Sequence, residues 1–185
     1  MAYHHGDLRR TLMAAAIAAI EEDGPAAVSL RDLARRANVS HAAPAHHFGD
    51  KAGLLTALAT EGFTLLAAAL REARERTGSF LEVGVAYVGF AVRHPAHFAV
   101  MYRPDLYHAD DPAILAARAD AAESLHGGLG MLPDGRPGAD PAVAALAAWS
   151  LVHGLATLWL SGSLRSAPTD DPEELARLVA RMLFR

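Results

Sequence analysis

The chain has 185 residues, a formal net charge of −4 and no cysteine. That length suits one domain, or a small domain joined to a larger one, and is enough to bury a core without covalent staples. The missing cysteines exclude disulfides and thiolate metal sites, and the mild acidity excludes a chain that holds nucleic acid by bulk positive charge. The charge is uneven, however. Residues 1–76 carry nine Lys/Arg and nine Asp/Glu, whereas residues 77–185 carry eight and twelve.

Alanine and leucine dominate and no strand-like alternation is visible, so the fold expected is all-α. The opening "MAYHHGDLRR" is polar, and Glu21, Glu22 and Asp23 interrupt the run behind it, which is not a leader pattern. A first helix is expected over 6–22, with Leu8, Leu12, Ala15, Ala16, Ala19 and Ile20 on its inner face and Gly24-Pro25 as its stop. Ser29 is placed to cap a short second helix, with Asp32 three residues on as an acidic capping box. Val28 is placed to staple onto Leu33. That helix should end near Ala37, where Asn38 tolerates the left-handed conformation of a tight turn. Ser40 reads as the cap of a third helix reaching Phe48. Pro44 would then be its fourth residue and forfeit one backbone hydrogen bond. Gly49 ends that helix, and Asp50 caps a long fourth one over 51–76.

Further helices are expected over 79–93, 95–102, 112–125, 141–161 and 171–184. His94-Pro95 ends one of them and a loop covers 127–138. The stretch from Pro141 to Leu164 has no charged residue and the length of a bilayer span. Its alanines, with Ser150, His153, Gly154 and Thr157 among them, favour a buried helix, so no membrane partner is expected.

The second and third helices, joined by Asn38, Val39 and Ser40, suggest a helix-turn-helix. Ala34 and Ala37 are small enough for a steep crossing, Asn38 can take positive φ, and Val39 can bury the turn. The segment "VSLRDLARRANVSHAAPAHHFGDKAGLLTAL" resembles the DNA-binding region of the TetR family of bacterial transcriptional regulators. The likeness runs from about Leu8 to Leu58 and is carried by the S-x-x-x-L-A-x-x-A-x-V-S core, His47-Phe48 and "DKAGLL". Trp149, His153 and Gly154 match the Trp…His-Gly signature of one branch of that family, and "HPAHFAVMYRPD" resembles the middle of the same C-terminal domain. The resemblance implies a helix-turn-helix DNA-binding domain over 1–50 and a helical effector-binding and dimerisation domain over 51–185. It implies a cytoplasmic, ligand-responsive regulator, a repressor in the usual case, that is not an enzyme and needs no cofactor.

Its partners would be double-stranded DNA carrying a near-palindromic operator, a small-molecule effector, and a second copy packed through 141–161 and 171–184. His41, Ala42, Ala43 and His46 are the candidates for the major groove, since histidine can donate to or accept from base edges and alanine can touch a thymine methyl. Ser29, Arg31, Ser40, His47 and Lys51 are phosphate candidates. Arg9, Arg10, Arg35 and Arg36 would add diffuse attraction. The sequence departs from the family at Ala45, where a phosphate-reaching tyrosine is usual, at Asn38, where glycine is commoner, and at Pro44, where an apolar core residue is usual.

Phe63, Phe90, Phe98, Met101, Tyr102, Tyr107, Trp149, His153 and Trp159 are candidates to line an effector pocket, with ordinary core packing as the alternative. The helix from Lys51 to Arg76 is the expected lever between the domains. A metal is not expected at His41, His46 and His47, because 41 and 46 lie about 140° apart on a helix and 46 and 47 about 100°. His94 and His97 read as helix-end groups, and the run Arg71, Glu72, Arg74, Glu75, Arg76 as a solvated face. Two other classes stay open. One is a histidine-based metal module or small enzyme, although no Ser-His-Asp, paired-carboxylate or HExxH pattern is present. The other is a helical interaction module without DNA binding.

Overall fold

The structure is a computed structural model that describes residues 5–127 and 140–183. Among them are nine α-helices, one 3-10 turn and no strand, so the chain is all-α. The helices are α1 (His5–Asp23), α2 (Leu30–Arg36), α3 (Ala43–Phe48), α4 (Lys51–Thr77), α5 (Phe80–Arg93), α6 (Pro95–Met101), α7 (Pro112–His126), α8 (Pro141–Leu160) and α9 (Pro172–Leu183), with the 3-10 turn at Pro25–Ala27. The loop expected over 127–138 lies, beyond Gly127, outside the described residues, as does Phe184.

The chain divides into two compact units. One comprises Met1–Phe63 with Pro95–Ala116, and the other Thr64–His94 with Ala117–Arg185. In the first, α1 packs on α2, on the 3-10 turn and on α6, and α2 packs on α3. Leu12, Ala16, Leu33, Ala34, Leu54, Leu55 and Leu58 are among its fully buried side chains, drawn from helical faces at three- and four-residue spacing. The close approach of α4 to α6 depends on Gly62, where a methyl would lie 2.6 Å from Met101 Sδ.

In the second unit α5 lies against α8 and α9. Val83, Tyr87, Val88 and Phe90 of α5 are buried, as are Val152 and Ala156 of α8 and Leu175, Ala176 and Ala180 of α9. Arg177 holds Glu82 through two nitrogens at 3.0 Å, and Arg93 holds Glu173 at 2.8 Å, so two ion pairs tie α5 to α9. The arginine run of α4 is not simply solvated. Arg71 donates to Asp120 at 2.6 Å and to Ser124 Oγ at 3.2 Å, and Arg74 donates to the Ser124 carbonyl, all on α7.

Burial of α8 is one-sided rather than complete. Val143, Leu146 and Leu158 are exposed, and with Ser150 and Gly154 they recur at three- and four-residue spacing, which puts them on one face. Leu178 and Met182 of α9 are also exposed, Met182 by 82%. Both α4 and α8 are long and apolar enough to cross a membrane by length and composition.

Candidate functional site

The turn after α2 follows from its residues. Ala37 caps the helix and Asn38 takes φ 50°, the only positive-φ non-glycine residue described. Asn38 N–H donates to the Arg35 carbonyl at 3.2 Å and Val39 N–H to the Ala34 carbonyl at 3.0 Å. This pair of bonds is a Schellman motif, which satisfies carbonyls that a helix end leaves open. Val39 is half-buried rather than sealed in the core.

Two caps differ from expectation. Ser29 occupies the cap position of α2, but its side chain makes no capping bond. Asp32 instead accepts from Arg35 and Arg36, each at 2.6 Å, and these partners hold its carboxyl below the usual range, Arg36 most strongly. Ser40 does not cap α3, whose cap position is Ala42. The Ser40 carbonyl accepts from Ala43 N–H at 3.0 Å, which closes one more turn before the helix starts. Pro44 therefore falls within the first two helical positions and is buried. A nitrogen there has no partner in any helix, so the proline costs no hydrogen bond.

This register sets what α3 shows. Ala42, Ala45 and His46 are exposed at i, i+3 and i+4, and so share a face. Ala43, His47 and Phe48 are half-buried, while His41, Ser40, Ser29 and Arg31 are exposed in the preceding elements. Ala45, not among the groove candidates from sequence, stands beside Ala42 and His46. The signal that would have found it is Pro44, a residue that favours the first helical turn and so marks where α3 begins.

Several cations near the motif are engaged within the first unit. Lys51 Nζ donates to the Ala26 carbonyl at 2.6 Å. Arg36 also pairs with Glu22 at 2.8 Å, and Arg9 lies over the Phe48 ring at 5.5 Å. Gly49, at φ 76°, ends α3, and Asp50 caps α4 by accepting from Gly53 N–H at 2.7 Å. That bond, with His108 nearby, lowers the Asp50 pKa from its ordinary value. His108 Nε2 sits 3.3 Å from Asp50 Oδ1, and its backbone N–H donates to Thr56 Oγ1 at 3.0 Å.

The pocket candidates fall into both units. In the first, Tyr102 packs against Phe63 and Phe98 with ring centroids 5.8 and 5.3 Å away, and Tyr107 Oη donates to the Met101 carbonyl at 3.0 Å. His97 is buried on α6, 3.4 Å from Glu61. In the second unit, Phe90 is buried beside His94 and Trp159 is half-buried.

Trp149 and His153 meet Tyr87, a residue that nothing in the sequence singled out. Trp149 Nε1–H donates to Tyr87 Oη at 3.3 Å, and Tyr87 Oη lies 2.9 Å from His153 Nδ1. The indole N–H only donates, so Tyr87 Oη accepts from Trp149, and its own proton remains available to an unprotonated Nδ1 of His153. Burial lowers the His153 pKa and favours the neutral form. Trp149 also borders an apolar cavity of about 20 Å³ lined by Phe80, Gly84, Leu125, Ala145 and Val152. That is the room of about one water. An open groove of about 450 Å³ runs between Leu155, Leu164, Leu175 and Val179. No group of three or more His, Cys, Asp or Glu among the described residues is arranged to hold a metal.

This geometry has relatives among known proteins. Residues 12–58 match the family described as bacterial regulatory proteins, tetR family, and residues 80–183 match the tetracyclin repressor-like C-terminal domain. The chain belongs to the TetR family of bacterial transcriptional regulators. Among solved structures it is similar to a protein of unknown function from Rhodococcus sp. RHA1, at 36% identity and TM-score 0.81, covering 99% of this chain and 96% of that one. It shares its fold with the TetR family transcriptional regulator PfmR from Thermus thermophilus, at 23% identity and TM-score 0.74, covering 94% and 97%. It also shares it with NalD, the secondary repressor of the MexAB-OprM multidrug efflux pump in Pseudomonas aeruginosa, at 22% identity and TM-score 0.68, covering 97% and 95%. No curated protein sequence matches the chain.

Proposed function

We propose that this regulator is a cytoplasmic, dimeric repressor that binds a near-palindromic operator and releases it when a small effector binds. The observation that carries the reading is the α2–α3 motif, with its Schellman turn at Asn38 and an exposed α3 face of Ala42, Ala45 and His46. His41, Ala42, Ala43 and His46 are assigned to base edges, and Ser29, Arg31, Ser40, His47 and Lys51 to phosphates. The repressor NalD, of the same fold, supplies the analogy for sign.

Dimerisation is assigned to α8 and α9. The exposed stripe of Val143, Leu146 and Leu158 leaves apolar area unburied, and a methyl at Gly154 would meet nothing within 4 Å among the described residues. A second copy covering that face would supply the missing contact and set two α3 helices about 34–36 Å apart. The effector site is assigned to the apolar cavity beside Trp149. At about 20 Å³ it falls short of the ~300–1,000 Å³ of small-ligand pockets, so the effector binds a conformation in which it is open. Selecting that state shifts the spacing of the reading helices through α4.

A second reading, a dimeric interaction module without DNA affinity, is favoured by one observation: Arg35, Arg36 and Lys51 are engaged inside the chain. Gel shift against the DNA flanking the chain's own gene separates the two. A salt-sensitive shift supports the repressor, and dimers that shift no fragment support the module.

A further inference from the structure

We propose that Ala42 and Ala45 read the operator through thymine methyl groups, with His46 beside them as the polar reader. The inference rests on the reading above that α3 enters the major groove, and it specifies what α3 recognises there.

Four observations lead to it. The exposed face of α3 presents Ala42, Ala45 and His46, while Pro44 is buried. From Ser40 to Phe48 the sequence has no arginine, lysine, asparagine or glutamine. These are the side chains that bond guanine or adenine with two hydrogen bonds in the major groove, so that form of reading is closed to this helix. Three of the long cations that flank the motif are bonded within the chain, Lys51 to the Ala26 carbonyl and Arg35 and Arg36 to Asp32, while Arg31 is exposed outside α3. Finally, two methyl groups on the outward face let the helix backbone approach the base edges closely. The apolar feature a base pair presents in that groove is the C5-methyl of thymine. A methyl-to-methyl contact that excludes water then carries discrimination which elsewhere comes from paired hydrogen bonds.

The test uses the full chain. A pool of random duplexes is selected for binding, and each thymine of the selected half-site is replaced in turn by deoxyuridine, which removes only the C5-methyl. One or two positions per half-site should weaken by about fourfold each, the equivalent of ~0.8 kcal/mol for one methyl-sized group. Ala42→Gly and Ala45→Gly should bind thymine and uracil duplexes alike at those positions. The far-UV helical signal and thermal melting of both variants, unchanged from the parent chain, guard against a folding artefact. Equal affinity for thymine and uracil at every position, in a duplex that still binds, overturns the methyl reading and leaves groove binding standing. Failure to select any duplex overturns groove binding and this inference with it.

Discussion

Two residues carry conformational and titration demands that single substitutions can probe. Asn38 sits at φ 50°, a region most side chains avoid. Asn38→Gly should stabilise the chain slightly, whereas Asn38→Val should cost about 1–2 kcal/mol, read as a shift in the urea midpoint at unchanged slope. His153 is depressed from its ordinary 6.5 by burial, so the unfolded chain binds its proton more readily than the folded one. Its stabilising effect is therefore complete above 6.5 and falls as pH drops through that value toward the lower folded-state one. The Tm should decline on acidification below 6.5, and His153→Gln should flatten that part of the profile. Asn38 was legible from residue type alone. The Tyr87–His153 bond was not, because it joins positions 66 apart in sequence and no local pattern encodes it.

Among the elements, the junction of α3 with α4 depends on Gly53. A Cβ there would lie 2.0 Å from the Phe48 carbonyl oxygen, which belongs to the backbone and cannot turn aside. Gly53→Ala should therefore lose more than ~2 kcal/mol despite alanine's better helix propensity, and thermal melting of the variant checks it. Most helix ends were readable because proline, glycine and cap residues mark them, as Ser79, Pro95, Asp140 and Pro172 do. The cap chemistry of Ser40 puts the start of α3 two residues early. Pro44 favours the first helical turn, and the proline governs. The α2 capping box failed for a related reason: Asp32 finds two arginines within its own helix and takes them in preference to a backbone N–H.

At the scale of the whole molecule, residues 95–116 belong to the same compact unit as α1 to α3, although half the chain separates them from its start. Helical periodicity says which face is apolar but not which distant helix covers it, so this grouping had no signature in sequence. The exposed stripe of α8 illustrates the same point. Composition identified an uncharged apolar helix, and Val143, Leu146 and Leu158 on one face of it are exposed among the described residues. Leu146→Glu with Leu158→Glu should convert dimer to monomer in sedimentation and abolish operator binding while the far-UV helical signal persists. A dimer unaffected by both changes would move the interface elsewhere.

The central claim is that α3 brings this chain to specific DNA. The most direct measurement is a gel shift of the purified chain with fragments upstream of its own gene, titrated with salt. A shifted band is expected on at least one fragment, weakening as salt rises, and abolished when Ala42, Ala45 and His46 are replaced together by glutamate. A chain that stays dimeric and folded yet shifts no fragment at low salt would contradict it.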